Sequence, residues 1–184
     1  MNSESIIKDE VGNYSVQNSI FDSNQGVRVT KDYSNLVVDS CFFINCRNDI
    51  GGALYFTCTN GYLTFNKLCG KDCYLSTENS YGIFYFTYGS RLINLVSYSD
   101  NRIHSSSRDI LNHEAGNLDF KNVNVSNTNC KYRSFAWFRI GNGNSMTASF
   151  CYSSNITCCA EKLQVFSGAN AVFNFFCLLN CNTK

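Results

Sequence analysis

The chain has 184 residues, of which 44% are hydrophobic and 16% are charged, and it contains no proline. The length suits one domain with a sizeable core. The formal net charge is +1 and the basic residues are scattered, so the sequence lacks the basic patch that binds nucleic acid or an anionic membrane. No apolar run approaches the roughly 20 residues of a membrane span, and the first residues show no signal peptide. We therefore expect neither nucleic-acid binding nor insertion of this segment into a membrane.

A repeat of about 26 to 30 residues runs through the sequence. Each unit opens with a short apolar strand, continues through a turn rich in Gly, Asn and Ser, and reaches a second apolar strand. The first strands are aligned from Val27, Ala53, Ile83, Ile110, Ala136 and Leu163. The second strands are aligned from Leu36, Leu63, Leu92, Leu118, Met146 and Val172.

Like residues recur one whole unit later rather than across a tight hairpin turn. This spacing favours parallel stacking of coils over a β-sandwich or a propeller. We therefore predict an all-β fold, a parallel β-helix (solenoid) of about six to seven coils. Residues 1–184 are expected to form a single β-helix domain that is a segment of a longer solenoid.

An asparagine-rich column follows the second strand of each unit. It holds Asn45, Asp72, Asn101, Asn127 and Asn155, with Asn24 assigned to the row before them. Asparagine at a turn adopts the left-handed conformation and bonds local backbone groups. Amides stacked coil after coil also bond one another, which predicts a structural ladder. The alternative is a set of independent turns in an Asn-rich chain.

Two short signatures in the first units carry a family resemblance. They read Phe21-Asp-Ser-Asn24, Phe42-Phe-Ile-Asn45 and Gly51-Gly52-Ala53-Leu54. These FxxN and GGAL patterns resemble repeats of the polymorphic outer-membrane proteins of chlamydiae. They are also similar to the Cys- and Asn-rich β-helix repeats of trichomonad surface proteins. The resemblance implies a right-handed parallel β-helix and an adhesin-like segment of a cell-surface or secreted protein, with no catalytic residues to carry over.

The sequence contains eleven cysteines. Cys46 and Cys73 fall in one column on adjacent coils, and strand spacing brings stacked neighbours within disulfide range, so this pair is the predicted bridge in an oxidising compartment. The alternative is that cysteine packs as a small apolar residue in inward columns, as predicted for Cys41, Cys151 and Cys177. Closely spaced cysteines on different sides of a coil do not converge on a tetrahedral point, so no metal site is predicted.

One polar cluster is the candidate for a catalytic site, as an alternative to a binding role. Asp109, His113 and Glu114 lie close in sequence, and Arg139 is aligned one coil later with His113. Enzymes that cleave polysaccharides need clustered carboxylates on one face. A solvated turn explains these residues equally well, and no cofactor motif occurs.

An outward aromatic stripe is predicted from the alternation of strand residues. If Ala53 points inward, then Phe56 points outward, and the alignment places Phe84, Phe86 and Trp137 on the same face. Such rings are candidate binding residues for sugars or proteins. The alternative is an alternation shifted by one residue, which would reverse every side chain.

These observations favour a non-enzymatic, adhesin-like or structural segment that binds glycan or protein partners through its lateral face. Its ends are expected to stack on further coils of the same chain or of another copy, and no cofactor is required. The alternative is a carbohydrate-active enzyme of the pectate-lyase-like fold, either a polysaccharide lyase or a glycoside hydrolase.

Overall fold

A computed structural model describes residues 2–76, 84–87, 89–99, 103–104, 111–130, 136–158, 163–167, 170–180 and 182–183. Within these ranges the chain is all β, with no helix, and every strand pair is parallel. Each strand pairs with the equivalent strand one coil away, so the predicted parallel β-solenoid is confirmed. The right-handed winding and the single-domain boundary stay predictions.

The first sheet contains seven of the described strands in chain order. Its strands are Ile6–Lys8, Val27–Val29, Leu54–Thr57, Phe84–Thr87, Leu111–Glu114, Ala136–Ile140 and Leu163–Ser167.

The second sheet stacks the longer strands in the same order. They are Asn13–Gln17, Asn35–Asp39, Tyr62–Lys71, Ser90–Ser99, Leu118–Cys130, Ser145–Cys158 and Asn170–Leu179. Short strands Ile20–Asp22, Phe42–Ile44, Ile103–His104 and Asn182–Thr183 extend it. Arg47–Asn48 and Tyr74–Leu75 form a separate parallel pair.

The long strands bend at left-handed residues rather than run straight. Two columns of non-glycine residues have φ near +50°, five residues apart along the chain in six of the coils. The first corner holds Asn18, Ser40, Lys67, Asn122, Phe150 and Phe175. The second corner holds Ser23, Asn45, Asp72, Asn127, Asn155 and Asn180. The four residues between the corners form a narrow side of the solenoid, which we call the short face.

Inward columns from the sheets and the short face build one continuous core. One column passes through Val38, Phe65, Ile93, Phe120 and Ala148, all essentially inaccessible to solvent. Another runs through Phe21 and Phe43, whose rings stack 5.1 Å apart with planes 10° from parallel. Burial of these like side chains supplies the main stabilisation.

The observed register corrects several predicted strand starts by one residue. Val27 pairs with Leu54 rather than Ala53, and Leu54 pairs with Phe84 rather than Ile83. In the second sheet the core column continues from Leu63 to Arg91, not to Leu92. The error at Leu92 arises because the apolar side chain lies next to the buried charged residue that continues the column, Arg91.

Close backbone contact fixes the turn that joins the two sheets. A Cβ on Gly116 would lie 1.7 Å from the carbonyl oxygen of Gly89, and the φ of Gly116 is +88°. Only glycine fits such a stacked left-handed position.

Candidate functional site

Asparagine stacking is present at the second corner. The Asn155 amide donates to Oδ1 of Asn127 over 3.1 Å, and Asn180 donates to Asn155 over 3.4 Å. Nearer the N-terminus, Asn45 donates instead to a carboxylate oxygen of Asp22 over 3.3 Å. Asp72 occupies the same corner, whereas Asn101 lies outside the described residues. The amides of Asn127 and Asn155 are exposed to solvent, so this ladder is a surface feature.

Asn24 belongs to a different column from the one predicted. The left-handed corner of its coil is Ser23, and the backbone N–H of Arg47 donates to the Asn24 carbonyl. This pairing makes Cys46, not Asn45, the counterpart of Asn24. The two FxxN motifs are therefore offset by one residue, because Phe21 pairs with Phe43 rather than Phe42.

A second ladder, which the sequence-based prediction does not include, runs along the first corner: three of its members lie just before the corner, and Asn122 lies at it. Asn66 donates to Asp39 over 2.5 Å, Asn94 donates to Asn66 over 3.1 Å, and Asn122 donates to Asn94 over 2.9 Å. Asp39 and Asn66 lie three residues after the aligned Leu36 and Leu63, but the residue at that offset from Leu118 is Lys121, so no single column of the aligned sequence carries this ladder.

The predicted outward phase of the aromatic stripe is wrong. Phe56, Phe84 and Phe86 are at most 1% exposed and face the core. Ala53 is also buried, but it precedes the strand that begins at Leu54, so the alternation cannot be counted from it. The Trp137 side chain lies outside the described part of the structure. The rings that stack along this sheet's other side belong to Tyr55 and Tyr85, with centroids 5.3 Å apart.

The predicted polar cluster does not assemble on one face. His113 is fully buried and pairs in register with Phe138, whereas Arg139 pairs with Glu114. Successive strand residues point to opposite sides, so His113 and Arg139 lie on opposite sides of the sheet. Asp109 lies outside the described residues.

Arg91 and His113 are both buried beside the turn that joins the sheets. The Arg91 guanidinium donates to the backbone carbonyls of Thr87, Ser90 and Gly61 over 2.6, 2.9 and 3.3 Å. It also lies over the Phe56 ring, 4.7 Å from the centroid. Burial lowers the pKa of Arg91 to about 9.

His113 remains neutral near pH 7. Burial lowers its pKa to about 3, and the positive charge of Arg91 adds to the effect. Nε2 lies 3.4 Å from the carbonyl oxygen of Gly116, and Nδ1 has no hydrogen-bond partner. A buried neutral imidazole of this kind has a structural role in the core and is closed to substrate.

Cys46 and Cys73 are stacked neighbours, and both thiols are free and buried. A hydrogen bond with Cys73 lowers the pKa of Cys46, whereas burial raises the pKa of Cys73 well above its usual value. Their disulfide stays a prediction for an oxidising compartment. Cys41 and Cys151 lie in the predicted inward column, but Cys177 is exposed because Phe176 pairs with Cys151.

The short face carries exposed apolar and small polar side chains in one outward column. The column contains Phe42, Cys69, Ser97, Asn124 and Tyr152. A groove of about 480 Å³ follows it, bordered by Phe42 at one end and by Lys67 and Asn122 of the first corner. The groove is open to solvent and mainly apolar.

Two phenylalanines continue the first corner beyond this groove. Phe150 and Phe175 are 61% and 77% exposed, and their rings stack 5.1 Å apart with planes 7° from parallel. Both have φ near +55°, a conformation that costs a residue other than Gly, Asn or Asp about 1–2 kcal/mol. We call this pair the aromatic ridge. The sequence reading missed it because its strained backbone is not visible in a hydropathy pattern.

No protein-family model, curated protein or solved structure shows significant similarity to the chain. The described residues form no helix long and apolar enough to cross a membrane. Among these residues, no three His, Cys, Asp or Glu side chains are grouped closely enough to hold a metal ion.

Proposed function

We propose that the chain is a non-enzymatic, adhesin-like or structural β-solenoid segment of a surface or secreted protein. It meets glycan or protein partners through the short face and the aromatic ridge. The proposal is based in part on the FxxN and GGAL signatures, which resemble repeats in surface β-helix proteins of chlamydiae and trichomonads. The proposal includes a right-handed winding of the solenoid.

The aromatic ridge is the observation that carries the proposal. Phe150 and Phe175 keep large apolar rings in water and a left-handed backbone, and Asn at the same corner would avoid both costs. Local strain combined with apolar exposure is typical of sites that function in contact. Flat exposed rings stack on sugars and on apolar protein surfaces.

A double substitution separates binding from folding. Phe150→Asn with Phe175→Asn places a residue suited to the left-handed conformation at both positions, so we expect an unchanged or higher unfolding midpoint. Binding in glycan-array and cell-adhesion assays should fall at least tenfold. Asn18→Ser is the control at the same corner, outside both the groove and the aromatic ridge, and its binding should equal that of the native chain.

Failure of the native chain to bind in both assays would overturn the proposal, as would full binding by the double variant. Cleavage of a polysaccharide without adhesion would favour the alternative of a carbohydrate-active enzyme. Burial of His113 and its separation from Arg139 weaken the support for that alternative.

A further inference from the structure

A polar cleft of about 530 Å³ lies beyond the second corner, where the chain turns back towards the first sheet. Residues from three successive coils line it. They include Asn24, Gln25, Arg47, Asn48, Asp49 and Ser76. Because these side chains are all polar, the cleft differs from the apolar groove of the short face.

Asn48 places an unpaired hydrogen-bond donor in this cleft. Its Oδ1 accepts the backbone N–H of Asp49 over 2.9 Å, whereas Nδ2 is buried and has no partner. Its neighbour in register is Leu75, a core residue that is 2% exposed. A buried amide without an acceptor requires an explanation, and a missing ligand atom is one.

Two further donor groups line the cleft beside Asn48. The Arg47 guanidinium lies 5.8 Å from the centroid of the Tyr74 ring and forms no ion pair with a described residue. The Gln25 side chain forms no hydrogen bond with a described residue. Guanidinium and amide donors together match the oxygens of a carboxylate.

We propose that this cleft binds an acidic sugar unit, with its carboxylate on Arg47 and Asn48 and its hydroxyl groups on Asp49 and Ser76. Arg47 is the single cation among the described lining residues, and Arg28 lies 3.9 Å from the Asp49 carboxylate and offsets its charge. One positive charge is therefore left for the ligand, which suits one carboxylate and disfavours a phosphate dianion. The described residues bring no apolar side chain to the lining, which disfavours an apolar peptide anchor. A sugar also supplies hydroxyl groups for the remaining polar atoms.

The acidic-sugar site extends the proposed function to a second surface. It does not include the aromatic ridge, so either proposal can fail alone. Phe150→Asn with Phe175→Asn should leave acidic-sugar binding unchanged.

Calorimetry and chemical-shift mapping on the full chain test the site. The probes are galacturonate and sialic acid, compared with neutral galactose and with inorganic phosphate. We expect saturable binding of at least one acidic sugar, at least tenfold tighter than galactose or phosphate, with the largest shifts at residues 24–25 and 47–49.

Two substitutions and a control complete the experiment. Arg47→Met and Asn48→Leu should each weaken binding at least tenfold, whereas Lys67→Met at the first corner should not. Asn48→Leu extends the Leu75 column and removes the unpaired donor, so its unfolding midpoint should not fall. Equal binding of galactose, equal binding of phosphate, no binding of either acidic sugar, or full binding by both cleft variants would each overturn the proposal.

Discussion

Acid should destabilise the solenoid through one residue, His113. This imidazole is buried among aromatic rings, with the Phe86 centroid 5.6 Å away, and its pKa is about 3 instead of 6.5. The folded state therefore resists protonation, while the unfolded state accepts a proton below pH 6.5. Stability is complete above that pH and falls as the pH decreases towards 3.

The magnitude follows from the pKa difference. Each pH unit within the window is worth 1.36 kcal/mol, so about 3 kcal/mol should be lost between pH 6.5 and 4.5. The full difference between 6.5 and about 3 corresponds to about 5 kcal/mol. Measurements above pH 4.5 limit the contribution of the carboxylates, which titrate mainly lower.

His113→Phe should remove most of this dependence. The ring joins a column that already contains Phe86 and Phe138, so the substitution suits its neighbours. Urea unfolding of both proteins at pH 7 and pH 4.5 gives the comparison. His104→Gln in both backgrounds removes the other of the two histidines. Parallel losses of stability in the two proteins would refute the assignment to His113.

Two further predictions concern stability. Arg91→Leu should raise the free energy of unfolding by about 1–3 kcal/mol at pH 7, because it removes a buried charge from a core column. The Thr87 and Gly61 carbonyls still accept hydrogen bonds from backbone N–H groups in the variant. A lower urea midpoint would contradict this prediction. Asn127→Ala should lower the free energy of unfolding by about 1–2 kcal/mol, because alanine disfavours the left-handed backbone and the ladder hydrogen bond is lost. Asn60→Ala, in an exposed turn, should change it by no more than about 0.5 kcal/mol. Equal urea midpoints for these two variants would deny the ladder a stabilising role.

The parallel solenoid could be predicted because its coils repeat chemical types at fixed positions. Asn45, Asp72, Asn127 and Asn155 mark the second corner directly in the sequence. The first corner carries Ser, Lys, Asn and Phe at equivalent positions, so composition does not reveal it. Its left-handed conformation is imposed by the coils stacked on either side, which is a tertiary effect.

One error in the predicted register of the second sheet comes from a buried residue of an unexpected type. Arg91 occupies a column otherwise filled by residues such as Leu63 and Leu118, and a search for apolar residues selects Leu92 instead. A one-residue shift reverses the predicted side of every residue in that strand. The same type of error placed Phe56 on the surface, because counting began from buried Ala53.

Residues that break the repeat are the basis of both proposals for this chain. Inward columns tolerate any apolar side chain of suitable size, so they specify the fold but distinguish one coil little from the next. Asn48 leaves a donor unpaired, and Phe150 and Phe175 hold strained, exposed rings. Each departure costs stability that an ordinary residue of its column would avoid. Such costs persist where contact with a partner offsets them, which is why the two proposed surfaces are centred on these positions.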